Sequence, residues 1–292
     1  MKVVKTIIAS LLIALIALPM TTIDAQDKKK NKKKHKKYAK VEGDGNIVTK
    51  DRSVANFTAI SVQNGSDLYI TQGSPNKVTV KADANLQDHI KTEVKDGTLK
   101  IYAKKRLGKA KKREVHVTVS NLKALAASGG SDVFAKKGLK TGNFALSMSG
   151  GSDLDLVLTA DELKCSLSGG SDANISGSVG HLKVSASGGS DLNGKNLSAT
   201  DCDINVSGGS DVDISGKAKS LDVVASGGSD INAGGFQVNK CKLVVSGGAD
   251  ATVKVKDELS MTASGASDID YYGNPKITHK KVSKNCDVTH HK

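Results

Sequence analysis

A five-residue string, Ser-Gly-Gly-Ser-Asp, returns through the second half of this chain at an almost fixed interval. It starts at Ser128, Ser149, Ser168, Ser187, Ser207 and Ser226, with variants at Ser246 (Ser-Gly-Gly-Ala-Asp) and Ser264 (Ser-Gly-Ala-Ser-Asp). The steps are 21, 19, 19, 20, 19, 20 and 18 residues. Units this short cannot bury an apolar face alone, so a regular period of this size marks a solenoid in which neighbours stack.

The residues around the string say what each unit is. Counted back from its first Ser, the fifth position holds Phe144, Leu163, Leu182, Cys202, Leu221, Cys241 and Leu259. The third holds Leu146, Cys165, Val184, Ile204, Val223, Leu243 and Met261. Residues between them, such as Lys164, Ser166, Lys183, Ser185, Asp203 and Asn205, are polar. Alternation with period two is a strand with one buried face. It resumes after the string with Val133, Leu154, Ala173, Leu192, Val212, Ile231, Ala251 and Ile269. Each unit therefore reads as strand, Gly-Gly corner, strand and return segment. The expected class is all-β: a parallel β-helix with about 20 residues per rung. Seven steps give a ladder on the order of 34 Å at about 4.8 Å per rung. The 292 residues contain five Tyr, four Phe and no Trp, so the interior is expected to be aliphatic and narrow.

The flanks read differently. Residues 1–25 have the form of a signal peptide: Lys2 and Lys5, an apolar run from Ile7 to Leu18, and Ala25 before the cleavage point. The run is shorter than the about 20 residues that cross a bilayer. No Cys follows it, so a lipoprotein anchor is not expected. Residues 26–45 are a Lys-rich linker, although lysines beyond an apolar run normally disfavour export. Residues 46–127 hold strand-like runs and an Asp96-Gly97 hairpin signal. They are expected to continue the solenoid and cap it, with Asn64-Gly65-Ser66-Asp67 as a degenerate first corner. Residues 128–268 are the repeat region, and 269–292 form a cap or a fraying tail. The formal charge of +13 sits in these appendages: residues 26–40 carry +8, while residues 128–268 carry −5. The basic pI is therefore no argument for nucleic acid, and specific nucleic-acid binding is not expected.

Four cysteines in an exported chain would ordinarily suggest disulfides. Cys202 and Cys241 share an inward position two rungs, roughly 10 Å, apart, and Cys165 lies two rungs before Cys202. A disulfide needs Cα atoms within about 7 Å. These three are expected to be buried free thiols; Cys286 has no assigned partner.

Taken together, Phe57-Thr-Ala-Ile-Ser-Val62, Asn64 to Gly73, Glu93 to Lys100 and the Ser-Gly-Gly-Ser-Asp ladder resemble the putative auto-transporter adhesin, head GIN domain family, over about residues 46–270. The resemblance implies a right-handed parallel β-helix, similar in shape to pectin lyases but lacking their catalytic residues. It also implies a role in cell adhesion and suggests trimeric assembly.

The main candidate for chemistry is the row of carboxylates at Asp132, Asp153, Asp172, Asp191, Asp211, Asp230, Asp250 and Asp268. Stacked carboxylates need donors or cations. Asp153 with Asp155, Asp211 with Asp213, and Asp268 with Asp270 are candidate metal ligands, Ca²⁺ being the ion such oxygen rows suit. The plainer expectation is a turn ladder, in which Asp and Ser side chains bond to corner N–H groups and no cofactor is held. Asp211-x-Asp213-x-Ser215-Gly216, with Asp222 in twelfth position, mimics an EF-hand loop, but Val212 and Ile214 read as core strand residues. Cys286, His290 and His291 could gather a transition metal, though near a chain end. Lys28–Lys40 and the group Lys104, Lys105, Arg106, Lys109, Lys111, Lys112 and Arg113 are candidate anion-binding patches, or simply solvated segments. Catalysis would need carboxylates clustered with Arg, Lys or His. The chain has three Arg (Arg52, Arg106 and Arg113), none in the repeats. No catalytic residue is assigned.

The expectation is an exported, non-catalytic β-helix in the periplasm, at the cell surface or secreted. It would bind envelope or cell-surface glycans or proteins, with weak attraction to anionic surfaces and possible homo-oligomerisation. The alternatives are a structural envelope protein with a cation-binding ladder, and a polysaccharide-active enzyme.

Overall fold

The structure is a computed structural model and describes residues 40–292. The signal peptide and most of the Lys-rich linker lie outside the described residues. The described residues belong to one compact unit, so the solenoid continues without a break across residue 128. The described residues are 72% strand and wind into a β-solenoid of about 9 turns with rungs of about 19 residues.

The amino-terminal part supplies β1 (Ile47–Arg52), β2 (Ala59–Gln63), β3 (Asp67–Gln72), β4 (Lys77–Asp83), β5 (Ile90–Lys95), β6 (Thr98–Ala103), β7 (Arg113–Val119) and β8 (Ala124–Ser128). The repeats supply β9 (Val133–Ser149), β10 (Asp153–Ser168), β11 (Asp172–Ser187), β12 (Asp191–Ser207), β13 (Val212–Gly227), β14 (Asp230–Gly247) and β15 (Asp250–Gly265). The chain closes with β16 (Ile269–Tyr272), β17 (Lys276–Val282) and β18 (Val288–His291).

Strands β9 to β15 pair in parallel, each with the next, and corner lies on corner: Asp153 faces Asp172, and Asp172 faces Asp191. The inward positions read from the alternation are all buried, from Leu146 and Cys165 to Met261. The return segment is not a loop; from corner to corner each rung is a single bent strand. Glycine takes the bend on some rungs, such as β11 and β13, while β10 bends without one. Gly177 and Gly216 have φ of 120° and 129°, and a Cβ on either would lie 2.1 or 2.0 Å from the carbonyl oxygen of Leu158 or Leu197 on the rung before.

The first rungs stack out of chain order. Strands β2 and β3 lie between β6–β7 on one side and β8–β9 on the other, all in parallel. Antiparallel strands then finish the edges: β4 on β7, β1 on β4, and β5 on β6. The β5–β6 turn is Asp96-Gly97, with φ of 51° and 70°, the doubly left-handed turn that joins twisted hairpins. A short 3₁₀ turn, Ala84–Leu86, buries Leu86 completely. Beside it Asp83 is fully buried. Its carboxylate accepts N–H bonds from Gly45 (2.7 Å), Lys111 and Lys112 (3.0 Å each). Those bonds outweigh the effect of burial and hold its pKa below the usual carboxylate value.

At the other end the tail neither frays nor merely caps. β16 and β17 pair with β15, and β18 pairs with β16, adding a further part-turn.

Candidate binding surface

The corner Ser and Asp residues divide the labour. The second Ser of each string (Ser131, Ser152, Ser171, Ser190, Ser210 and Ser229) points inward and is fully buried, as are Ser66 and Ser267. Its hydroxyl serves the corner backbone. Ser210 accepts N–H bonds from Gly189 and Ser190 (3.2 and 3.1 Å), while Ser152, Ser190, Ser229 and Ser267 donate to the carbonyl three residues earlier at 3.0–3.1 Å. Buried hydroxyls are ordinarily satisfied in this way; Ser66 Oγ, on the first corner, has no such partner among the described residues.

The Asp residues face outward in a continuous column. Asp67 lies on the first rung beside Asp132, and register places Glu114 beside Asp67. At the far end Asp287 donates its N–H to Asp268 at 3.1 Å. Asp211 and Asp250 likewise accept the N–H of Asp230 and Asp268, at 3.2 and 3.0 Å. The column thus runs further in both directions than the repeated string does. Burial, and then the charge of its neighbours, raises the pKa of Asp132, Asp153, Asp191 and Asp230.

The metal candidates do not converge. Asp155 is held by Lys136 and by the amide of Asn174, both at 2.9 Å, and lies below its usual pKa. Asp270 meets His291 at 2.7 Å. No group of three or more His, Cys, Asp or Glu side chains suited to a metal occurs among the described residues. The EF-hand mimic, from Asp211 to Asp222, lies along β13, with Val212 and Ile214 buried.

Cys286, His290 and His291 are also separate. Cys286 fills the slot of the buried corner serine in the last part-turn, with its sulfur 3.5 Å from Ser267 Oγ. His290 stacks on Tyr271 and His291 on Tyr272, at centroid separations of 4.5 and 4.7 Å. The sequence signal was present: Asn285-Cys286-Asp287 follows the last corner at the proper step, with Cys in place of Ser. All four cysteines are free and buried. Desolvation raises the pKa of Cys165 to about 12, and that of Cys202, beside Asp201 and Asp203, to about 12.

Three concavities mark the outside. A groove of about 300 Å³ runs across the rungs between Lys136, Asp155, Asn174, Asn193 and Lys195. A smaller one of about 200 Å³ lies among Lys183, Asp203, Asp222, Lys242 and the exposed Val224. The largest, about 650 Å³, opens where the loop after β6 passes the first corners. It collects Lys104, Lys105, Arg106 and Arg113. The other three basic candidates are not part of it. Lys109 donates its N–H to Glu42, Lys111 is bound through its N–H to Asp83, and Lys112 pairs with Glu114.

Comparison with known proteins bears on this surface. No curated protein matches the chain. A putative adhesin from Parabacteroides distasonis ATCC 8503 superposes with a TM-score of 0.68 at 26% identity, over 86% of this chain and 99% of that one. A putative adhesin from Parabacteroides merdae ATCC 43184 gives 0.68 at 22% identity over the same shares. A putative lipid binding protein from P. distasonis shares the fold at 0.59 and 18% identity, over 86% of this chain and all of that one. The family model described as putative auto-transporter adhesin, head GIN domain, matches residues 56–215 and 206–275. With its corner ladder and stacked rungs, the chain belongs to that adhesin family.

Proposed function

We propose that this chain is an exported, non-catalytic binding protein. It acts in cell adhesion or envelope-surface interaction, and its partners are surface glycans or proteins. The observation that carries the reading is the uniformity of the outer columns. A catalytic site concentrates unlike groups at one place. Here like residues recur rung after rung, and several are occupied by their neighbours on the stack, as Asp211, Asp250 and Asp268 are. Such a surface offers the same polar contacts repeatedly, which suits multivalent attachment to a repeating polymer. Membership of an adhesin family supports the same conclusion.

Protease shaving of intact cells tests the location on which the reading depends. Loss of the protein without lysis is expected. Full protection, with release on permeabilising the outer membrane, would remove adhesion from consideration. Retention of envelope or host glycans on immobilised protein tests the binding itself, and a blank result across such a panel would sink the proposal.

A further inference from the structure

The basic cavity beside the first corners has no role in the adhesion reading, which rests on the repeats. Its lining is Asn64, Gly65, Gly129 and Gly130 from two stacked corners, the loop from Ala103 to Leu107, and Arg113. Four of these side chains are cationic, and none is acidic. Two are arginines, in a chain with only three. Among the described residues, none of Lys104, Lys105, Arg106 and Arg113 forms an ion pair.

The surroundings fix the loop that carries three of these charges and leave all four outside ion pairs. The loop is stitched at both ends: Lys104 N–H bonds His89 O (2.9 Å), Val41 N–H bonds Arg106 O (3.0 Å), and Gly108 N–H bonds Val41 O (2.9 Å). Asp83 pins Lys111 and Lys112 just before Arg113. Glu114, the nearest acid in sequence to Arg113, is already shared among Lys112, Lys81 and His116. Asp67, the other acid near Arg113, feels that guanidinium but forms no ion pair with it. The corner glycines matter for access. Gly65 has φ of 71°, and a Cβ there would stand 3.5 Å from Arg113 Nη1.

We infer that this cavity binds a phosphate monoester carried on a sugar, the two guanidiniums gripping the phosphate and the corner backbone facing the sugar. A phosphate monoester brings about −1.5 to −2 charges at neutral pH, and arginine grips such oxygens in paired hydrogen bonds. A volume of about 650 Å³ is that of a site for a small molecule, with room beyond a bare ion. The phosphate can belong to a soluble phosphosugar or to the headgroup of a lipid.

Calorimetric titration of the full chain with glucose 1-phosphate, beside glucose and inorganic phosphate, tests this. Saturable binding of the sugar phosphate at one site is expected, with glucose silent. Arg106→Gln with Arg113→Gln should weaken it by at least about tenfold, the loss of roughly one charge-assisted hydrogen bond. A control pair, Lys219→Gln with Lys254→Gln, removes the same charge from distant rungs and should leave the affinity unchanged. Circular dichroism of both variants confirms the fold. Absence of saturable binding, or equal weakening by the control pair, overturns the proposal. Vesicles carrying lipid A, whose glucosamines bear phosphate monoesters, then decide the source of the phosphate. Vesicle binding abolished by the arginine pair points to a lipid headgroup; vesicle binding that persists leaves the site to soluble phosphosugars.

Discussion

Gly216 shows how little freedom a rung allows one residue. Its φ of 129° is open to glycine and strained for other residues, and any Cβ would meet the Leu197 carbonyl oxygen at 2.0 Å. Gly216→Ala therefore combines backbone strain with a clash against an immovable neighbour. We expect it to destabilise the chain by about 3 kcal/mol, read as a lower denaturant midpoint. Gly97 at the hairpin tip has left-handed backbone, but a Cβ added there would meet nothing within 4 Å. Gly97→Ala should cost about 1 kcal/mol, from the backbone alone. If the two variants were equally destabilised, rung contact would not be the cause at Gly216.

At the scale of the element, two carboxylates make opposite predictions about pH. Asp153 sits in the outward column, where burial and then Asp132 and Asp155 raise its pKa above 3.8. Its folded state prefers the neutral acid, so its ionised form weakens the fold at neutral pH. Asp153→Asn should raise the melting midpoint at pH 7, by less than about 1 kcal/mol because solvent screens the column. The gain should fade as pH falls through the raised pKa toward 3.8. Asp83 is the reverse. Its pKa is depressed by three backbone N–H groups, so its stabilisation is present above the unfolded carboxylate pKa and is lost as pH falls through the folded one. Asp83→Asn should cost about 2–3 kcal/mol at pH 7, the worth of hydrogen bonds to a charged group, and proportionately less in acid. Melting curves across pH check both signs. These two aspartates also show what the sequence disclosed. Asp153 was legible because its environment repeats. Asp83 was not, because its partners come from residues 38 positions before it and 28 and 29 after it, and no local pattern encodes them. The out-of-order stacking of β2 and β3 was hidden for the same reason. The corner at Cys286 was hidden because Lys284, Asn285 and Cys286 replace the two glycines and the second serine of the string.

For the whole molecule, the acidic column poses the question of whether cations hold the stack together. The carboxylates bond to the backbone of the next rung or stand alone, and their side chains do not converge. We propose that they are corner residues first. Millimolar Ca²⁺ should then shift the melting midpoint no further than sodium chloride of equal ionic strength, since screening of like charges is the only effect left. A shift specific to Ca²⁺ and reversed by chelation would restore the cation-bound ladder.

The near-identity of one rung to the next has a consequence for descent. A unit removed or duplicated whole leaves each remaining rung with the same kind of neighbour, because the interfaces between successive repeats are nearly interchangeable. Recombination between copies of the corner sequence within the gene can therefore lengthen or shorten the protein in increments of one strand spacing, about 4.8 Å, while both specialised ends stay intact. The length of the stack then becomes a trait that copy number sets and selection can adjust, without a new fold having to be found.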